Sequence, residues 1–285
     1  MQRLFGWAAA LLRIAGILAL CAALFWLIRS IGQVKPAQAA EILFAGTKDD
    51  ADCAIFLSRG ACVVIDTGEA QDGEHILSLL EEKDVETIDC LILTHPDKDH
   101  IGGAAQIFEK VPVKQVVAPY YTKNNTRYED LQFQMANLSI PCITLLRGKE
   151  LVFGELAFYI WPPEKLDYEG DNDYSLAVLV CHGSVRMFFG GDAQKQRIKE
   201  YMRYKIGKVD LYKVSYHGRD IAAQTLLIQE LAPDYAIVTA KEAGEMTKQA
   251  LEGVSAQIFF TREQDICFQS DGEKLILLET SFPEH

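Results

Sequence analysis

The seven cysteines include no C-x-x-C pair. No stretch rich in proline, glycine or serine divides the chain, and neither a low-complexity tract nor a short repeat interrupts its 285 residues. The first absence leaves the cysteines without a metal or redox motif; most sit in apolar runs such as Ala61-Cys62-Val63-Val64-Ile65 and read as small buried hydrophobes. The second leaves no linker at which to cut the main body, so it reads as one domain. Positive charge is also in deficit, 28 Lys+Arg against 40 Asp+Glu for a net charge of -12. That argues against a general nucleic-acid coat, though not against a local basic groove. With 49% apolar and 24% charged residues the chain has ordinary globular proportions, which excludes a disordered tail protein, a collagen-like repeat and a multi-span transporter.

Residues 1–40 stand apart from the rest. Ile14 to Ile28 is an unbroken apolar run of 15 residues between Arg13 and Arg29. Extended back to Leu4 it is interrupted only by Arg13, whose long stem can reach the headgroups, and it is long enough for one membrane span. Ala37-Gln38-Ala39 supplies an A-x-A cleavage site before Ala40. The segment therefore reads as a signal-anchor or as a cleaved signal peptide. Either places residues 41–285 outside the cytoplasmic membrane, held by a single N-terminal hydrophobic helix or secreted.

Residues 41–285 alternate short strands with helices. A hairpin turning at Arg59-Gly60 joins strands at 53–58 and 61–66; a helix is expected at 75–82, a strand at 88–94, a helix at 103–110 and a surface helix at 124–137. Hairpins mixed with α/β units point to an α/β fold of two sheets with helices outside.

The chemistry concentrates in Thr94-His95-Pro96-Asp97-Lys98-Asp99-His100-Ile101-Gly102-Gly103. Four groups able to hold a metal fall within six residues, straight after an apolar strand and before a Gly-Gly helix entry. Imidazoles and carboxylates together suit a divalent transition metal. Three further strands end in polar motifs: Val64-Ile65-Asp66-Thr67-Gly68, Gly190-Gly191-Asp192-Ala193, and Lys213-Val214-Ser215-Tyr216-His217-Gly218.

Together these segments resemble the signature of the metallo-β-lactamase-fold superfamily, H-x-H-x-D-H, with Asp97 in place of its second histidine. That variant looks like the hydrolase-like domain of the competence DNA-uptake protein ComEC. The resemblance implies a four-layer αββα sandwich over most of residues 41–280. It implies metal ligation by His95, Asp97, Asp99, His100, Asp192 and His217, and a supporting role for Asp66. Asp52, in Ala51-Asp52-Cys53, loosely fits the family's G-D-A strand entry. Lys195 stands in a D-x-x-K spacing after Asp192 and is placed to meet a phosphate. Two departures stand out. No histidine occupies the third motif, where Asn172 is the best match and Asp171 or Asp173 are alternatives. The G-H-P motif of ComEC-like domains falls near Ala243-Gly244-Glu245-Met246, without a histidine. His182, between two strands, reads as an exposed turn residue.

Three nitrogens and three carboxylates suit one or two divalent ions, Zn or Mn, whose bound water would be deprotonated near neutral pH and attack the substrate. Asp99, Asp192, Lys195 and His217 form the expected catalytic set, and Asn172 with Lys195 the expected substrate contacts. Between Arg186 and Asp220 nine basic residues face four acidic ones, interleaved with Tyr201, Tyr204, Tyr212 and Tyr216, which suggests a polyanion surface with rings for stacking on bases. The leading expectation is a phosphodiesterase or nuclease acting on DNA. A hydrolase of a nucleotide, lactone or thioester, and a degraded binding module, are the alternatives. Oligomeric state is not legible.

Overall fold

The computed structural model describes residues 39–281, so the N-terminal apolar run lies outside the described residues. Among the described residues no helix is long and apolar enough to cross a membrane. The strands are β1 (Ala40–Phe44), β2 (Ala54–Ser58), β3 (Ala61–Ile65), β4 (Cys90–Ile92), β5 (Val116–Pro119), β6 (Cys142–Leu145), β7 (Lys149–Phe153), β8 (Leu156–Trp161), β9 (Ala177–His182), β10 (Val185–Phe189), β11 (Leu211–Lys213), β12 (Tyr235–Val238), β13 (Gln257–Phe260), β14 (Asp265–Ser270) and β15 (Leu275–Ser281). The α-helices are α1 (Gly73–Glu82), α2 (Lys98–Ile101), α3 (Ala104–Lys110), α4 (Thr126–Asn137), α5 (Lys195–Tyr201), α6 (Ala222–Leu231) and α7 (Glu245–Gly253).

The strands form two mixed sheets, ordered β15-β14-β1-β2-β3-β4-β5-β6 and β13-β12-β11-β10-β9-β8-β7. In the first, β3 to β6 run parallel; in the second, β10 to β13 do. Parallel strands are covered on both faces, which is why β4, β5 and β11 are buried at every residue. Three apolar clusters fill the layers. Phe44, Phe56, Phe158, Phe189 and Phe268 lead the central one between the sheets, with Phe56 edge-on to Phe158 and Phe189 at 5.4 and 5.3 Å. Ile76 and Leu80 of α1, Ile107 of α3 and Leu131 of α4 pack on Val64 and Leu91 of the first sheet. Ile198 of α5, Leu227 of α6 and Leu251 of α7 pack on Phe188, Tyr212 and Ala236 of the second. The order is helix, sheet, sheet, helix.

Several local expectations change. The expected strand at 88–94 keeps ladder pairing only over Cys90–Ile92, because Thr94 turns out of it to bond Asp66. A four-residue helix, α2, carries Asp99 and His100, and β6 is an additional edge strand with Cys142 exposed. His182 is a correction: it is buried, not an exposed turn residue. The adjoining turn tucks under the β14–β15 hairpin, where Ser184 N donates to Gly272 O at 2.7 Å. His182 Nδ1 meets Ser270 Oγ at 2.8 Å. Because parallel strands share one polarity, the carboxyl ends of β3 and β4 meet those of β10, β11 and β12, and the polar motifs converge there.

Candidate metal centre

Asp52, His100, Asp192 and His217 offer ligand atoms that all lie within 4.8 Å of one another, and all four residues are buried. Asp192 bridges the two imidazoles: Oδ1 is 3.3 Å from His100 Nε2 and Oδ2 is 2.9 Å from His217 Nε2. Asp99 Oδ2 lies on the same side, 3.1 Å from His217 Nε2 and 3.8 Å from His100 Nε2. The His95 ring sits 4.0 Å from that of His100, and its Nε2 is 3.5 Å from Asp97 Oδ2. Burial then grades outward, from the imidazoles and Asp192 to Asp99, with a side chain 21% exposed, and Asp97, at 31%.

The other face of the rings is held by the protein. Asp66 Oδ2 meets His100 Nδ1 at 2.8 Å while its carboxylate also accepts from Thr94 N and Oγ1. Thr239 Oγ1 meets His217 Nδ1 at 3.0 Å. A partner at Nδ1 fixes the ring's orientation and leaves Nε2 for a metal. Asp66 achieves this from a left-handed backbone, φ 59°. Tyr216, His217 and Gly218 are consecutively left-handed, φ 54°, 50° and 77°, which swings His217 inward off the end of β11. Gly191 is required for the same reason: at φ 53°, a Cβ there would stand 2.8 Å from Ser175 Oγ and 3.1 Å from Thr94 Cβ.

Charge explains the packing. Burial acts to raise the Asp192 carboxyl, but His217 and His100 outweigh it and hold it well below the usual carboxylate range. Burial opposes the protons of His100 and His217, yet the surrounding carboxylates, Asp192 foremost, lift both well above an ordinary imidazole. Carboxylates this close are held by imidazolium protons or by a cation. Asp52 Oδ1, Asp192 Oδ1, His95 Nε2 and His100 Nε2 are buried without a hydrogen-bond partner among the described residues. The orphaned Nε2 atoms and Asp192 Oδ1 fit a divalent ion held by imidazole and carboxylate, while Asp52 Oδ1 lies on the other side of the rings, 3.3 Å from His217 Nδ1.

Of the six residues expected at the metal, His100, Asp192 and His217 fall in the compact group, joined by Asp52, while Asp99, His95 and Asp97 lie beside it. Asp173 instead accepts from Gln194 N and Arg197 N at the start of α5, and Asp171 is tied to Tyr121 and Lys123. Of the three third-motif alternatives only Asn172 has a side chain outside such structural bonds. Its carbonyl accepts from Ser175 Oγ, which in turn accepts from Asp192 N. Lys195 is exposed at the first position of α5, with no hydrogen bond or ion pair to the cluster. The stacking surface is corrected: Tyr201 of α5 and Tyr212 of β11 are fully buried between the second sheet and its helices, and Tyr204 stacks on Trp161. Tyr216, beside His217, is half-buried, with the Arg219 guanidinium over its ring at 4.9 Å. Arg197, counted among the surface cations, is buried against Glu200 and the Ser175 and Trp161 carbonyls.

Two residues escaped the sequence reading. Lys213 is buried in contact with Asp52 Oδ2, and its Nζ is 3.3 Å from Gly191 O and 3.7 Å from Asp192 Oδ1. A lysine at the end of an otherwise apolar strand, followed directly by Val214, was the available signal. Thr94 had none, because its partner Asp66 is 28 residues away.

Three relatives bear on the assignment. "ComE operon protein 3" of Bacillus subtilis is 31% identical over 170 residues, 59% of this chain and 22% of that protein. "Recombination protein 2" of Haemophilus influenzae is 26% identical over 191 residues, 65% of this chain and 22% of that protein. The chain therefore spans about a fifth of the length of these curated relatives. The metallo-β-lactamase fold protein YhfI of Bacillus subtilis superposes with a TM-score of 0.57 at 13% identity, over 82% of this chain and 100% of that one, which shows the shared fold. The superfamily's sequence pattern matches residues 46–240, a span holding every residue of the centre just described. The chain belongs to the metallo-β-lactamase superfamily, and part of it is similar to ComE operon protein 3 and Recombination protein 2.

Proposed function

We propose that the protein is a metal-dependent hydrolase of phosphodiesters, with DNA as substrate, held at the outer face of the cell membrane by its N-terminal apolar segment or released if that segment is cleaved. The observation that carries the hydrolase reading is the convergence of His100 Nε2, His217 Nε2, Asp99 and Asp192 at the open ends of two sheets. The ComEC resemblance supports DNA as the substrate.

His95, His100 and His217 by their Nε2 atoms, with Asp99 and Asp192, would hold one or two divalent ions; Asp97 is their outermost neighbour. A divalent ion bound there, Zn or Mn, supplies Lewis acidity toward a phosphoryl oxygen and lowers the pKa of an attacking water. The protein's own groups do the rest. Asp66 and Thr239 keep the imidazoles turned so that Nε2 faces the reacting side. Asp99, the partly exposed carboxylate of the set, orients the water and takes its proton. Lys195, free at the surface one turn beyond Asp192, meets a non-bridging phosphate oxygen. Asn172, beside Ser175, faces the substrate from the 3-10 turn at Asp171–Tyr174.

Burial of Tyr201, Tyr212, Arg197 and Lys213 shrinks the basic aromatic surface and favours a second reading, a hydrolase of a small substrate such as a nucleotide or thioester. The test is incubation of the full-length chain, purified in mild detergent, with single- and double-stranded DNA in Mn²⁺ or Zn²⁺, beside Asp192→Ala. Metal-dependent cleavage lost in the variant supports a nuclease. Retained metal binding without cleavage sinks the DNA reading and moves the substrate to a small molecule.

A further inference from the structure

We infer that Asp52 is not a ligand of the ion but one half of a fixed internal salt pair, and that its partner Lys213 is a positioning residue that sets the charge of the metal centre from behind. Of the four ligand-capable residues gathered within 4.8 Å, Asp52 alone approaches the imidazoles from their Nδ1 side: Oδ1 is 3.3 Å from His217 Nδ1 and Oδ2 is 3.6 Å from His100 Nδ1. Asp192 and Asp99 meet the same rings at Nε2. The two nitrogens of an imidazole aim their lone pairs along diverging directions. An ion bound at Nε2 is therefore out of reach of a carboxylate seated against Nδ1, a place already shared with Asp66 and Thr239.

Lys213 completes the argument. Its side chain is 4% exposed and that of Asp52 is 7%, so each needs the other's charge. The ammonium contacts Asp52 Oδ2, lies 3.3 Å from the Gly191 carbonyl, and stands 3.7 Å from Asp192 Oδ1. It thus spans from the carboxylate behind the rings to the bridging carboxylate in front, and fixes the backbone just before Asp192. A permanent cation at that point keeps a divalent ion from settling on Asp52. Paired, Asp52 and Lys213 add no net charge; unpaired, each would shift the field at the centre in the opposite sense.

This goes beyond the hydrolase reading and rests on it only in requiring that the Nε2 side take a divalent ion. The test is Mn²⁺ affinity by titration calorimetry, with melting in EDTA, on the detergent-purified full-length chain and on Lys213→Met, Asp52→Asn and the double variant. Lys213→Met should bind Mn²⁺ about tenfold more tightly and Asp52→Asn about tenfold more weakly, because one bare charge then faces the ion in a poorly screened interior. The double variant should return to within about threefold of wild type, and both single variants should melt earlier in EDTA. If Asp52→Asn and the double variant bind equally weakly, Asp52 is a ligand and the inference falls. If Lys213→Met melts earlier yet binds Mn²⁺ as wild type does, the pair only packs the core, which also overturns it. Should Lys213→Met fail to fold, Asp52→Asn and the double variant, which buries no bare charge at the pair, still decide. Absence of Mn²⁺ binding by wild type overturns this inference along with the metal reading. Intact binding with no DNA cleavage overturns the DNA substrate alone.

Discussion

The two sheets supply the centre in different ways. The first brings His95, Asp97, Asp99 and His100 on a single loop and short helix after β4, with Asp66 one strand away. The second brings Asp192, directly after left-handed Gly191, and His217, itself left-handed, on separate loops, each propped by groups from elsewhere. Asp192 N rests on Ser175 Oγ, Ser175 O accepts from Arg197 Nε, and Lys213 grips the Gly191 carbonyl. Contiguity makes the first contribution locally determined and redundant. The second has no spare residue and depends on tertiary support.

The largest expected effect tests that redundancy directly. Asp192→Ala should lower metal-dependent hydrolysis on the order of a thousandfold, because it removes the carboxylate bridging both imidazoles. Asp97→Ala, at the exposed end of the first loop, should lower it about tenfold or less; rates measured side by side at saturating metal would break the comparison if they fell equally. Next comes the tertiary prop. Arg197→Leu strips the cation from buried Glu200 and the donors from the Ser175 and Trp161 carbonyls, and should destabilise the fold by about 3–5 kcal/mol in urea denaturation. Its metal affinity should fall as well, although Arg197 touches no ligand.

On the first sheet the matching change is Asp66→Asn. It weakens the acceptor shared by Thr94 and His100 and should lower stability by about 1–3 kcal/mol and metal affinity by about 10–100-fold. Equal losses of affinity in Arg197→Leu and Asp66→Asn would mean that both halves lean equally on their surroundings.

The smallest effect is a pH dependence at the seam between α1 and β14. The hydrogen bond from His75 to Asp265, at 2.7 Å, raises the imidazole above its ordinary value against the opposing effect of burial. The folded state therefore holds this proton more tightly than the unfolded chain. The stabilisation is fully present below about pH 6.5 and is lost as pH climbs through the raised value. The melting difference between wild type and His75→Gln, followed from pH 5.5 to 8.5, should shrink toward alkaline pH. A difference independent of pH would show that the pair acts only as packing.

Legibility in the sequence follows the same division. The loop from His95 to His100 is readable because its donors are neighbours in the chain, and the motifs at Asp66, Asp192 and His217 because each ends an apolar strand. The roles of Lys213, Ser175 and Arg197 were not readable, since each is defined by a partner on another element. Arg197 counted as surface charge until its contacts with Trp161, 36 residues earlier, placed it inside. His182 misled for a like reason: what covers it is Ser270 and the Gly272 turn, 88 residues further on. Asp52 was visible as a candidate, but which edge of the imidazoles it meets is a matter of three-dimensional placement alone.

β1, the first described strand, lies between β2 and β14, and Gly46 N donates to Asp265 across 219 residues. The β2–β3 hairpin can close early in synthesis, but the sheet that carries half of the centre cannot. Its edge stays open for pairing until β14 has emerged, and such distant pairing makes closure slow. Every donor of the centre, from His95 to His217, is made before β14. The order of manufacture thus sets an interval in which a metal-binding loop exists on an unfinished sheet. Delaying β14 and β15 would lengthen that interval without altering a single ligand.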